Sequence, residues 1–95
     1  MFTDDADRLA FIQSLGGQLV RIDGRSVFAV FENEFAVASI GLDVETTGPM
    51  LDPCRMSDIA GISKDAPVEI GTERYRVRRI ESDPATGLSR VVLRR

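Results

Sequence analysis

The last third of the chain restricts the possible folds more than any other segment. Residues 68–93 read VEIGTERYRVRRIESDPATGLSRVVL and contain three short β-prone runs separated by two turn signals. Gly71-Thr72-Glu73 is typical of a tight hairpin connection. Asp83-Pro84-Ala85-Thr86-Gly87 combines a proline that fixes φ, an aspartate that can bond the backbone ahead and a glycine that accepts positive φ. The segment predicts a three-stranded antiparallel meander over residues 68–95.

The middle strand of this meander carries an alternating pattern of arginines. Tyr75 and Val77 share one face of the strand because they are two residues apart. The opposite face then holds Arg74, Arg76 and Arg78. The alternation breaks afterwards, since Ile80 falls on the arginine side and Arg79 on the apolar side. A slip of one residue exchanges the two faces of a strand, so we expect a β-bulge or a sharp bend near Arg78-Arg79.

The length of 95 residues indicates a single domain, residues 1–95. The charged residues are unevenly distributed along it. Residues 1–73 hold five basic and thirteen acidic side chains, a balance of −8. Residues 74–95 hold seven arginines against Glu81 and Asp83, a balance of +5, which leaves the net charge of −3. Such asymmetry favours a partner or self-association. The alternative is a set of basic strand faces that are only solvated.

The N-terminal segment, residues 1–17, predicts a helix from about Asp4 to Ser14. Thr3 is the expected N-cap, and acidic residues follow it in the first turn, where the helix dipole favours them. Gly16-Gly17 is a left-handed stop signal. A mostly one-sided apolar stripe consists of Phe2, Ala6, Leu9, Ala10, Ile12 and Leu15. We expect this helix to pack across one end or face of a sheet, or to dock as an arm on a neighbouring subunit.

Residues 18–40 predict a β-hairpin region. Two strands, residues 18–22 and 26–31, are joined by Asp23-Gly24-Arg25, and both look buried on more than one face. Residues 35–40 predict a third strand.

The signal weakens over residues 41–67, which predict a long central loop of the kind that is usually functional or mobile. Within it, residues 51–55 are compatible with a short strand and residues 57–61 with one capped helical turn. The fold class expected from the whole pattern is mainly β. It is a small antiparallel β-barrel or sandwich with one N-terminal α-helix and this long loop.

The residue types argue against an enzyme. The chain has no histidine, which excludes Ser-His-Asp and Cys-His pairs and histidine-based zinc sites. Cys54 lies beside Arg55, which would lower its pKa, but no base accompanies it, so a small partly buried residue is the better interpretation. No Gly-rich phosphate loop is present. We predict no cofactor, no metal and no membrane span, and the single cysteine fits a reducing cytosol.

Two groups of residues are candidates for a functional surface. The first is expected at a subunit interface or a DNA channel and contains Arg74, Arg76, Arg78, Arg79 and Arg90. The second is expected on a channel or partner loop and contains Asp43, Glu45, Asp52, Arg55 and Asp58. Arginine suits phosphates and carboxylates, but base reading normally brings aromatics or a groove-entering helix. Non-specific passage of DNA, or pairing with the acidic part of a neighbour, is the expectation.

The C-terminal pattern also resembles a known family. The residues that carry the resemblance are Val68-Glu69-Ile70-Gly71, Tyr75-Arg76-Val77, Ile80-Glu81, Asp83, Gly87-Leu88 and Val92-Leu93. They are similar to the C-terminal signature of the small head–tail joining proteins, the stopper or head-completion proteins of long-tailed phages and prophages. Supporting matches upstream are the N-terminal helix, Ala29-Val30-Phe31-Glu32 and Ser57-Asp58-Ile59.

The resemblance implies a structural protein of the virion neck, present in the bacterial host cytoplasm before assembly. Such proteins form a ring, typically of six copies, beneath the portal and its adaptor, close the DNA exit and present a surface to tail proteins. Residues 41–65 would face the channel or an adjacent ring, and the opposite charges of the two chain segments would help neighbouring copies meet. The family supplies no catalytic residues.

Three other functions remain open from the sequence. One is a neighbouring neck component such as a tail-completion protein. Another is a cytosolic SH3-like adaptor that binds acidic peptides or nucleic acid through Arg74, Arg76 and Arg78. An enzyme that uses the loop carboxylates is the least favoured.

Overall fold

The computed structural model describes residues 4–32, 35–36, 46–47 and 49–95. In these residues, one α-helix comes first and is followed by eight strands and one short 3-10 helix. In chain order these elements are α1 (Asp5–Ser14), β1 (Gln18–Ile22), β2 (Arg25–Glu32), β3 (Phe35–Ala36), β4 (Thr46–Thr47), β5 (Met50–Arg55), the 3-10 helix (Met56–Ile59), β6 (Pro67–Ile70), β7 (Glu73–Asp83) and β8 (Leu88–Arg94). The mainly β fold with one N-terminal helix is confirmed.

Six of the strands close into an antiparallel barrel in the order β1-β2-β5-β8-β7-β6. The closure between the first and last strands is short, since β1 pairs with β6 only through Arg21 opposite Glu69 and Ile22 opposite Val68. Strands β3 and β4 pair with each other as a separate two-stranded sheet. Of the strand predicted over residues 35–40, only the two residues of β3 fall within the described part of the chain.

The inward side chains of the barrel strands form the core. Alternation along each strand sends one residue in two inside, as in β7, where Tyr75 and Val77 are buried and Arg74 and Arg76 are exposed. The Tyr75 ring packs against that of Phe31 with ring centroids 5.7 Å apart. The core cluster contains Val20, Ile22, Val27, Ala29, Leu51, Cys54, Ile59, Ile62, Ala66, Val68, Ile70, Tyr75, Val77, Val91 and Leu93.

The C-terminal meander and its predicted bulge are confirmed. Strand β7 pairs with β6 on one side and β8 on the other. The register between β7 and β8 shifts between Val77 and Arg79, so Arg78 occupies the bulge. After the shift Arg79 points outward and Ile80 packs against the core. The extra residue restores the correct faces, which is the physical reason for the bulge.

Helix α1 buries fewer of its apolar side chains than its sequence pattern predicts. Its N-cap is Asp4, whose Oδ1 accepts a hydrogen bond from the Asp7 N–H at 2.9 Å. The predicted cap, Thr3, lies outside the described residues. Of the described stripe residues only Ile12 is buried, and Leu15 is 50% exposed. The helix lies on β2 and β5 through a narrow face. It ends at Ser14, and Gly16 follows with φ of +87°, as the left-handed stop signal predicted.

The β1–β2 hairpin has the predicted strands and turn but a more open exterior. Asp23 and Gly24 have φ of 52° and 79°, and two positive φ angles suit the twist of a two-residue hairpin. Leu19, expected to be buried, is 63% exposed because it points away from the barrel interior. Phe28 and Val30 are half-buried for the same reason.

The segment predicted as a loop over residues 41–67 contains ordered structure in its described part. Strand β5 lies between β2 and β8 in the barrel, and the 3-10 helix follows it. The short strand and helical turn noted in the sequence are therefore both present. Pro53 within the run weakened the strand signal. It is tolerated because the register of β5 with β8 shifts between Leu51 and Cys54.

Candidate assembly surfaces

The exterior of β6 and β7 carries three of the predicted arginines. Arg74, Arg76 and Arg78, which we call the arginine face, are all exposed. Their orientation follows directly from the burial of Tyr75 and Val77 on the other side of the strand.

Among the described residues, Arg76 is the member of the arginine face whose side chain makes a hydrogen bond. Its Nη1 donates to the backbone carbonyl of Asp65 at 2.9 Å. The Asp65 carboxylate in turn accepts from Arg94 Nη2 at 2.7 Å, and Arg94 lies opposite Arg76 in the β7–β8 register. The hydrogen bond from Arg94 is the main cause that lowers the pKa of Asp65. The two hydrogen bonds to Asp65 attach the segment that precedes β6 to β7 and β8.

The other two members of the arginine face are not engaged. Arg74 lies opposite Glu69, which itself lies opposite Arg21, so one carboxylate faces two guanidinium groups. Arg78 occupies the bulge. Within the described part of the chain, Arg74 and Arg78 make no hydrogen bond or ion pair. Both guanidinium groups are exposed on the outside of the barrel.

Arg79 and Arg90 belong to a separate row of charges. Arg79 Nε donates to Glu81 at 2.7 Å, and Arg90 bridges Glu81 at 3.5 Å and Asp52 at 3.0 Å. This row crosses β7, β8 and β5 on the exterior. Since both charge signs alternate within it, the row is close to neutral and differs from the arginine face. Arg90, which was predicted to lie beside Arg74, Arg76 and Arg78, therefore belongs to this neutral row instead.

Polar contacts hold the start of helix α1 against the barrel. Asp5 accepts from Ser57 Oγ at 2.6 Å and from Arg8 Nη1 at 2.8 Å. Arg8 Nε also donates to the carbonyl of Thr86, in the β7–β8 turn, at 2.7 Å. The Ser57 hydrogen bond, followed by that of Arg8, lowers the pKa of Asp5. We call these four residues the helix clasp.

Arg55 and Asp58, predicted on a partner loop, lie beneath this clasp. Arg55 forms a two-point ion pair with Asp58, at 2.8 and 3.2 Å. Its Nη1 also donates to the carbonyl of Asp5 at 3.3 Å. The geometry gives both residues an internal role in fixing the 3-10 helix to α1. Asp43 and Glu45 lie outside the described residues.

The outward side of α1 presents a mixed ridge. Asp7, Phe11 and Leu15 are four residues apart and so share one line along the helix, which we call the helix ridge. Asp7 is exposed, and Phe11 and Leu15 are 38% and 50% exposed. The line combines one acid with two partly exposed apolar side chains.

The helix ridge and the arginine face lie on different strands of the barrel. Helix α1 packs on β2 and β5, while the arginine face lies on β7 beside β6. In the closed order of six strands, β7 is three places from β2 and two places from β5.

The surroundings of Cys54 raise its pKa, whereas the adjacent Arg55 would lower it. It is fully buried, and its Sγ lies 3.5 Å from the Ser89 carbonyl. Burial, with smaller effects from Asp58 and Asp52, raises its pKa to about 12. The Arg55 charge points to Asp58 instead. Such a thiol is unreactive, and no group of possible metal ligands occurs among the described residues.

Comparison with protein families identifies the lineage of the chain. The family model described as phage head-tail attachment protein matches residues 1–93. The chain belongs to this family. No curated protein and no solved structure matched the chain in the corresponding comparisons.

As a head-tail attachment protein, the molecule has a role in joining phage heads to tails. It is a virion component that interacts with head and tail components, and the role of its family is structural. No helix in the described ranges is long and apolar enough to cross a membrane. The resemblance drawn mainly from the C-terminal meander is thereby confirmed and extends over nearly the whole chain.

The sequence of this head-tail attachment protein did not predict several residues of these surfaces. Arg94 has the same parity as Arg90 on β8, so alternation alone would have placed it on the exterior. Asp65 and the helix clasp had no such signal, because Asp5 and Ser57 are 52 residues apart.

Proposed function

We propose that this head-tail attachment protein is a stopper. It assembles as a ring of six copies between the portal–adaptor complex and the tail, closes the DNA exit after packaging and docks the tail. It is a cytoplasmic protein of the host before assembly and part of the virion neck afterwards.

The observation that carries the proposal is the presence of two unlike exposed surfaces on different elements of one barrel, β7 and α1. One is basic and the other combines apolar groups with acids. A contact between different patches of identical chains is heterologous, and such contacts generate closed rings when their rotation closes. Membership of the head-tail attachment family supports an assembly at the junction of head and tail.

A phage that lacks this gene tests the proposal. Electron microscopy of its lysate should show finished tails and separate heads, with DNA leaking from the heads. Purified protein added to those heads should retain the remaining DNA and then allow added tails to join.

The order of addition separates a stopper from a tail-completion protein. Heads incubated first with the protein and then washed should accept tails. If only pre-incubated tails become competent, and heads without the protein keep their DNA, the protein completes tails and the stopper proposal is wrong. Infectious particles formed without the gene would also contradict it.

A further inference from the structure

We infer that the arginine face, Arg74, Arg76 and Arg78, binds the phosphate backbone of double-stranded DNA without reading its sequence. The binding itself needs only this face of one chain and can be measured on the purified protein. The source of the DNA, a head whose exit the protein closes, rests on the proposed function.

The first reason is that the described part of the chain leaves two charges of the arginine face uncompensated. Arg74 and Arg78 are exposed, and within that part they make no hydrogen bond or ion pair. Other arginines near the C-terminus are paired with carboxylates, as Arg94 is with Asp65. An exposed guanidinium presents a planar fork of donors that matches the oxygens of a phosphate. Two such groups on one strand are therefore suited to an anion that carries many phosphates.

Arg76 adds a guanidinium group whose position is fixed. Its Nη1 donates to the Asp65 carbonyl at 2.9 Å. Asp65 is itself held, because its N–H donates to the Val77 carbonyl at 2.7 Å and its carboxylate accepts from Arg94. A guanidinium has five N–H donors, so this hydrogen bond leaves others for a phosphate oxygen. A side chain that is already held loses less conformational freedom when it binds.

The strands on the β6 side of β7 add little negative charge to this surface. Arg21, Glu69 and Arg74 lie in one exposed row across β1, β6 and β7. Pro67, which has no charge, lies opposite Arg76. Arg21 and the arginine face together hold four positive charges, against the one negative charge of Glu69. Because the net charge of the whole chain is −3, attraction for a polyanion is concentrated at this face.

The chemistry of the surface favours DNA over an acidic protein as the partner. In the described ranges the exposed large hydrophobic side chains are Phe11, Leu15 and Leu19, and none of them lies on β6 or β7. Protein interfaces have an apolar core from which charged residues are depleted, whereas protein–DNA interfaces are polar and strongly positive. Tyr75 is buried, so it is not available to read bases. Contacts to phosphates alone carry no sequence information.

Binding of duplex DNA to the purified chain tests the inference. Fluorescence anisotropy of a labelled duplex gives the affinity at salt concentrations from about 50 to about 200 mM. Three phosphate contacts predict a slope of about −2.7 for log affinity against log salt, which is an affinity about fortyfold lower at the higher concentration. Duplexes rich in A·T and in G·C should bind equally well, because only the backbone is contacted.

The variant R74Q/R78Q removes the two uncompensated charges. Only Arg76 then remains, so the slope should fall to about −0.9, and binding at about 50 mM salt should weaken at least tenfold. The matched control R79Q/R90Q removes the same charge from the neutral row and should keep the wild-type slope. E69Q removes the carboxylate opposite Arg74 and should tighten binding about threefold. Unchanged urea midpoints verify that the variants fold.

Two kinds of result would overturn the inference. The first is an absence of binding by the wild-type chain at about 50 mM salt, or equal slopes for the wild type and R74Q/R78Q. The second is tighter binding of a polyglutamate peptide than of a duplex with the same number of charges. That result would assign the arginine face to an acidic protein.

The inference and the stopper proposal fail in distinguishable ways. If the wild-type chain binds naked duplex with the expected slope but neither binds heads nor retains their DNA, the stopper proposal alone fails. If the wild-type chain binds heads and allows tails to join, but R74Q/R78Q binds naked duplex as the wild type does, the DNA-binding inference alone fails.

Discussion

Replacing Ile12 tests how the N-terminal helix is attached. Ile12 is fully buried and is the only buried residue of α1, so the apolar part of docking depends on it. The change Ile12→Ala removes three carbons, worth about 0.8 kcal/mol each, and buried Ile→Ala changes cost about 2–5 kcal/mol once an imperfectly filled site is included. Alanine returns only a few tenths of a kcal/mol through helix propensity. We therefore expect a loss of about 2–4 kcal/mol.

Urea unfolding monitored by circular dichroism measures this loss. With a slope of about 1.5 kcal/mol per molar, the midpoint should fall by about 1.3–2.7 M. Gln13→Ala is the control, because it changes an exposed neighbour on the same helix and should stay within about 0.5 kcal/mol. A shift for Ile12→Ala no larger than that of the control would refute the reasoning. It would show that the polar clasp alone holds the helix.

Three further outcomes follow from the structure. Gly17→Ala should cost about 1–3 kcal/mol in the same urea assay, because a Cβ there would lie 2.6 Å from Ile12 Cγ2 and 2.8 Å from the Ile12 carbonyl oxygen; an unchanged midpoint would contradict this packing. The pKa values of Asp5 and Asp65 are lowered in the folded state, so their stabilisation is complete above the unfolded value near 3.8 and is lost as the pH falls through the folded values. The urea midpoint should therefore drop between pH 5 and pH 2, and by less in the variant D5N/D65N; an equal drop in both proteins would refute it. The Cys54 thiol, with a pKa raised to about 12, should not react with a disulfide reagent until the chain unfolds, and rapid labelling of the native protein would show that the barrel is open at β5.

Local patterns in the sequence predicted the hairpins, the meander and the bulge because each depends on near neighbours. The alternation of Tyr75 and Val77 with arginines defines two faces of a strand, whatever surrounds it. The break at Arg79-Ile80 requires an extra residue, since otherwise a guanidinium would enter the core. Turn chemistry at Asp23-Gly24 depends on backbone conformation in the same local way.

The exposure of apolar residues was harder to predict, since it depends on what packs on each element. Leu15 and Leu19 have the spacing of core residues, yet they point away from the barrel. Helix α1 covers only part of β2 and β5, so its apolar stripe is wider than its docking face. The excess apolar surface is what the helix ridge presents.

By itself, the sequence determined the mainly β fold, the arginine pattern of β7, the division of charge along the chain and the resemblance to head–tail joining proteins. Only the tertiary structure decided that Pro53 lies within a barrel strand, that Arg55 and Asp58 serve the helix clasp, and that Arg90 belongs to a neutral row. These results depend on groups far apart in the chain, and barrel closure alone brings them together. Closure also placed α1 on β2 and β5, away from the arginine face on β7, which β8 separates from β5.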